Sequence, residues 1–159
     1  MLSVGFSACK RDFRPVLKTG FEGKPLPVFN ILLPDSATVL STADIPKGSP
    51  LVLLFFSPNC PFSQAEMNSI VKDMPALKNV RFCIITNSPF TQLKEFYSYY
   101  ALSQYSNITA GEDVKNYFQA HYKPIGVPYT LIFNKAMQLN KAFVGTMLGQ
   151  QIEEIAKED

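Results

Sequence analysis

Long apolar runs, metal-ligand clusters and charge of one sign are all missing from this 159-residue chain. The longest apolar stretch, residues 51–56, falls far short of the roughly 20 residues that a membrane helix needs. Fifteen basic residues face thirteen acidic ones, a net charge of +2. No segment concentrates Lys and Arg, so nothing points to nucleic acid. Cysteine is scarce: Cys9, Cys60 and Cys83 make an odd set, which cannot close into a disulfide framework within the chain. The three are far apart, and the only histidine, His121, is remote from all of them in sequence. The spacing of a zinc site is therefore absent, and neither a metal nor a cofactor is expected. His121 falls near a helix end, where the dipole favours it. Internal repeats and low-complexity segments are lacking too.

What is present is a globular composition, 47% apolar and 18% charged, in a length that suits one domain with a real core. Residues 1–22 read as an N-terminal segment and 23–159 as the folded domain. Within the first, Phe6-Ser7-Ala8-Cys9 resembles a bacterial lipobox, in which small residues precede a cysteine that becomes acylated. Phe6 stands where an aliphatic residue is usual, and the basic start and full apolar stretch of a signal peptide are missing. Two readings stay open. Either Cys9 is lipidated and tethers the protein to a membrane, facing an oxidising compartment, or it is an incidental cysteine near a frayed end. Residues 10–27 read as a polar linker.

The pattern thereafter alternates strands and helices. A short edge strand is expected at 30–33, bracketed by Pro27 and Pro34, and a second short strand at 38–41 from its alternation. The continuous apolar run 51–56 predicts a central strand covered on both faces. A helix follows from about 60 to 74, with Phe62, Met67, Ile70, Val71 and Met74 at helical spacing, ended by Pro75. Further strands are expected at 80–86 and 105–109, with a helix at 91–102 between them. Gly111-Glu112-Asp113 predicts the acidic first turn of a helix running to 122. Strands at 129–133 and 142–144 form a hairpin, and a helix at 149–157 closes the chain. Helical crossovers imply parallel pairing and the hairpin antiparallel pairing. The expected fold class is α/β, a central mixed β-sheet flanked by helices on both faces.

Chemistry concentrates at Cys60. It falls where a strand ends, Ser57-Pro58-Asn59 turns the chain, and a helix begins. Unpaired backbone N–H groups point toward such a position, and can stabilise a thiolate there over a thiol. A thiolate can attack disulfides, peroxides or electrophiles. Pro61 suits the first helical turn, where its missing N–H costs nothing. Cys83, between Phe82 and Ile84 in a strand, reads instead as an inert core residue.

Residues 51–67, LVLLFFSPNCPFSQAEM, resemble the active-site segment of thioredoxin-like thiol–disulfide oxidoreductases of the TlpA and ResA group. These have an apolar strand, an aromatic pair, Cys-x-x-Cys and then Glu-Met. Gly126-Val127-Pro128-Tyr129-Thr130 looks like the family's cis-proline loop, and Gly23-Lys24-Pro25-Leu26-Pro27-Val28-Phe29 like the start of its fold. The resemblance spans roughly residues 23 to 157 and implies a thioredoxin-like fold. It implies Cys60 as nucleophile, and a client-binding surface of Pro61, Phe62, Val127 and Pro128, with Val127 offering its backbone to an extended chain. Glu66 is implied as a proton relay, with an exposed helix carboxylate as the plain alternative. Implied partners are protein thiol or disulfide clients, such as exported proteins awaiting haem attachment, or an upstream thiol reductant. Implied too are a location outside the cytoplasm in the bacterial cell envelope, and a monomer.

The pattern breaks at Ser63, which stands where the family has its resolving cysteine. Its hydroxyl can hydrogen-bond a Cys60 thiolate but cannot form a disulfide. A monothiol exchange protein, a redox-inactive client-binding module, and an introduced change that traps one state all remain open. So does a peroxiredoxin-like peroxide reductase, with Ser57 three positions before the cysteine. That reading needs an arginine beside the thiolate, and Arg81 is the only one beyond the N-terminal segment.

Overall fold

The computed structural model describes residues 14–158; Cys9 and its expected lipidation lie outside them. The strands are β1 (Asn30–Leu32), β2 (Val39–Ser41), β3 (Leu51–Phe55), β4 (Arg81–Thr86), β5 (Ile108–Glu112), β6 (Tyr129–Phe133) and β7 (Leu139–Val144). The helices are α1 (Pro61–Lys72), α2 (Met74–Leu77), α3 (Phe90–Tyr99), α4 (Tyr117–Tyr122) and α5 (Gly149–Ala156). The strands form one mixed sheet in the order β2-β1-β5-β4-β3-β6-β7. β3, β4 and β5 pair in parallel, while β6 pairs antiparallel with both β3 and β7.

Strand β3 is buried along its whole length because its alternating side chains serve two cores. Val52 and Leu54 join Met67 and Ile70 of α1, Leu77 of α2, Leu93 and Phe96 of α3, and Ile152 and Ile155 of α5. Leu51, Leu53 and Phe55 face the other way, toward Phe118 and Tyr122 of α4; the Phe55 and Phe118 rings stack at 4.8 Å. Helices thus cover both faces, as the apolar run requires. Cys83 is buried in the second core, and burial pushes its thiol up to about 12. Among the described residues no helix is long and apolar enough to cross a membrane.

Several boundaries differ from expectation for physical reasons. The helix after Cys60 stops at Lys72, and Pro75 lies in the first turn of the separate α2, where its missing N–H is not needed. The strand expected at 105–109 lies at 108–112, preceded by a 3-10 turn at Leu102–Gln104. Gly111 and Glu112 therefore belong to β5 rather than to a helix. Gly111 is required there by close approach, since a Cβ would sit 2.9 Å from Ile31 Cδ1 and 3.0 Å from the Leu32 carbonyl oxygen. Helix α4 begins only at Tyr117, and the buried Asp113 carboxylate accepts the N–H groups of Tyr117 (3.0 Å) and Phe118 (2.7 Å). Strand β7 starts at Leu139 instead of 142, after a register shift beside Ile132 and Phe133. His121 does sit in the last turn of α4, but burial and the Lys24 charge lower its pKa.

The described part of the stretch read from composition as a linker, residues 14–27, packs on the sheet. Leu17 bridges to Ala142 and Pro25 to Gln138. The Leu17 N–H donates to Ala142 and the Gly23 N–H to Leu139, and the Leu17 and Phe21 side chains lie against the second core.

Candidate active site

Pairing of β3 with β6 sets Phe55 opposite Tyr129. The turn leaving β3 and the loop entering β6 thus meet at one end of the sheet. The first turn carries Cys60. Its N–H donates to the Ser57 carbonyl at 3.0 Å and its carbonyl accepts the Gln64 N–H at 3.0 Å. The Gln64 side chain closes the turn by donating to Pro58 O at 2.9 Å. Cys60 is the extended residue that caps α1, with Pro61 at the first helical position, and it is partly exposed.

The second loop carries Val127 and Pro128, joined by a cis peptide bond. The Cys60 sulfur lies 3.9 Å from the Val127 carbonyl oxygen. The structure thus brings Cys60, Pro61, Val127 and Pro128 together. Phe62, next on α1, is 61% exposed.

Ser63 is buried, and its hydroxyl oxygen accepts the Ser57 N–H at 3.3 Å. It fixes the turn from inside; the expected hydrogen bond to Cys60 is not formed, the sulfur instead facing the Val127 carbonyl. Glu66 is not the exposed helix carboxylate of the plain alternative: it is 0% exposed. Its Oε1 accepts the Thr130 hydroxyl at 2.8 Å and its Oε2 the Met147 N–H at 3.0 Å. Burial pushes its carboxyl up to about 7, against the pull of those two hydrogen bonds and the Arg14 charge.

Thr130, Met147, Thr146 and Arg14 were not singled out from sequence. Thr130 carried a signal, as a polar residue in the otherwise apolar strand Tyr129–Phe133. The others arrive by tertiary contact. The Thr146 hydroxyl donates to Phe62 O at 2.9 Å, and Arg14 Nε donates to Thr146 O at 2.6 Å. Arg81 pairs with Leu51, at the end of β3 opposite to Cys60. At about 3.3 Å per residue, the length of β3 separates it from the thiol, so Arg81 is not the arginine a peroxiredoxin requires.

No protein-family model matches the chain, and no curated protein matches it. Solved structures do. StoA from Bacillus subtilis is 18% identical with a TM-score of 0.64, over 85% of this chain and 99% of that one. A secreted Mycobacterium tuberculosis disulfide oxidoreductase homologous to E. coli DsbE is 23% identical with a TM-score of 0.66, over 80% and 93%. The MTB dsbF is 18% identical with a TM-score of 0.67, over 80% and 92%. With the seven-stranded mixed sheet, these likenesses define an α/β protein of thioredoxin-like fold.

Proposed function

We propose that this chain is a thiol–disulfide exchange protein that works through the single nucleophile Cys60. The observation that carries this is the sulfur of Cys60 at the start of α1, 3.9 Å from the carbonyl of Val127. An extended client chain that pairs with the Val127 backbone brings its own sulfur to the same place.

The Cys60 thiolate attacks one sulfur of a client disulfide. A bond forms between Cys60 and that sulfur, the client S–S bond breaks, and the other client sulfur leaves as a thiolate. Ser63 cannot displace the client. Release needs a second thiolate from an outside thiol reductant, which attacks the mixed disulfide at the client sulfur and frees Cys60. Glu66, with its carboxyl near 7, is the proposed proton relay. The apolar rim of Pro61, Phe62 and Pro128 holds the client. The proposed setting is the bacterial cell envelope outside the cytoplasm, with the protein a monomer and Cys9 its lipid attachment point. Residues 23–159 form the proposed working domain, with Leu17 and Phe21 of the preceding segment packed against it. The extracytoplasmic setting rests on the similar M. tuberculosis protein being secreted and on the lipobox-like run before Cys9.

The test is reaction with a small disulfide, followed by mapping of the modified cysteine by mass spectrometry. Rapid modification at Cys60, absent in Cys60→Ser and reversed only by added thiol, is the expected result. Cys60 reacting no faster than a cysteine in an unfolded peptide overturns the proposal in favour of a redox-inactive binding module.

A further inference from the structure

A groove of about 450 Å³ opens beside the Cys60 turn, between α1 and α3. Pro58 and Asn59, the two residues before the nucleophile, form one wall, with Gln64 and Asn68 of α1. Gln92, Glu95, Phe96, Tyr99 and Tyr100 form the other. The exchange chemistry described above uses none of the α3 residues.

The groove's polar groups point to one kind of occupant. Its only charged side chain is Glu95, and no Lys or Arg lines it. Glu95 makes no ion pair among the described residues. Its floor is aromatic: Phe96 and Tyr100 meet at 4.7 Å and Tyr99 stands edge-on to Tyr100 at 4.9 Å. Tyr99 is 81% exposed, so its ring is open to a ligand. A carboxylate that shares the groove with the open Tyr99 ring suits a cation, drawn both by the charge and by the ring quadrupole. Asn59, Asn68 and Gln92 add carbonyl oxygens that accept hydrogen bonds from such a cation. The groove includes Asn59, the residue before Cys60, so a side chain that flanks the client's cysteine is the part of a client placed to enter it.

We infer that this groove is a specificity subsite for a Lys or Arg side chain that flanks the reacting cysteine of the client. The inference rests on the exchange reading of Cys60 and names the class of client that this site prefers.

The test uses the full chain and short peptides whose one cysteine carries a 2-pyridyl disulfide. Cys60 attacks the peptide sulfur, forming the mixed disulfide and releasing pyridine-2-thione, whose absorbance gives the rate. Peptides carry Lys, Gln or Glu at each of the three positions on either side of the cysteine. At one or more of these positions, Lys should react about fivefold faster than Gln, and Glu slower still, with the preference falling as salt is added. Glu95→Gln and Tyr99→Ala should each reduce the preference while leaving the rate with 2-hydroxyethyl 2-pyridyl disulfide unchanged. Equal rates for Lys, Gln and Glu at every position, with Cys60 still reacting rapidly with the small disulfide, overturn the subsite alone. A preference that survives both substitutions also overturns it. Failure of Cys60 to react with any of these disulfides overturns the exchange reading itself.

Discussion

The hydroxyl of Thr130 donates a 2.8 Å hydrogen bond to the buried carboxyl of Glu66, joining β6 to α1. Burial sets the titration of that carboxyl, raising it from 4.5 to about 7. A carboxyl raised in this way binds its proton more tightly in the folded protein than in the unfolded one. Its contribution to stability is therefore full below about pH 4.5 and is lost as pH rises through 7. Glu66→Gln keeps a carbonyl for the Met147 N–H and removes the titration. Between these limits the wild type should lose about 3 kcal/mol relative to this variant. Urea unfolding of both proteins across that range checks it, and a constant difference between them refutes it.

Ser63→Cys places a second thiol one turn beyond Cys60, on the same side of α1. The variant should form a 60–63 disulfide on mild oxidation, losing two titratable thiols relative to its reduced state. It should also release clients without added thiol, on the order of a hundredfold faster than the wild type under the same conditions. Thiol counting and the lifetime of the mixed disulfide are the measurements. An unchanged lifetime shows that more than the missing sulfur limits turnover.

Asp113→Ala strips two backbone N–H groups at the start of α4 of their carboxylate acceptor. Loss of about 2 kcal/mol is expected. Amide exchange at Tyr117 and Phe118 should accelerate more than exchange in β3.

Gly111→Ala drives a methyl against Ile31 and the Leu32 carbonyl. It should cost about 1–3 kcal/mol, read as a lower denaturation midpoint, with Cys60 reactivity unchanged because β1 lies three strands from β3 in the sheet.

The parts of this fold that could be read from sequence are those where local pattern and burial agree. The apolar run that becomes β3 and the spaced Met67 and Ile70 of α1 each carry their own evidence, and with them the corner that holds Cys60. Misreadings came where a distant partner decides. Gly-Glu-Asp at 111–113 looks like a helix start, but Gly111 is glycine because β1 presses on it. Asp113 caps a helix that begins four residues later. Glu66 lies on the same stripe as Ser63, Met67 and Ile70, all buried in α1. That spacing already marks an inward carboxyl, while its partners Thr130 and Met147 are visible only once the chain is folded.

The backbone bonds that run from Leu17 and Gly23 to β7 have a consequence for how this protein is handled. An outermost strand with open N–H and C=O groups is a template for strand pairing between molecules. Residues 17–25 occupy that side of β7. A version trimmed to begin at Gly23, where the resemblance to other thioredoxin-like proteins starts, would lose the Leu17 bond to Ala142, lay part of β7 bare and invite self-association. A shortened form that stays monomeric should therefore keep Leu17 and everything after it.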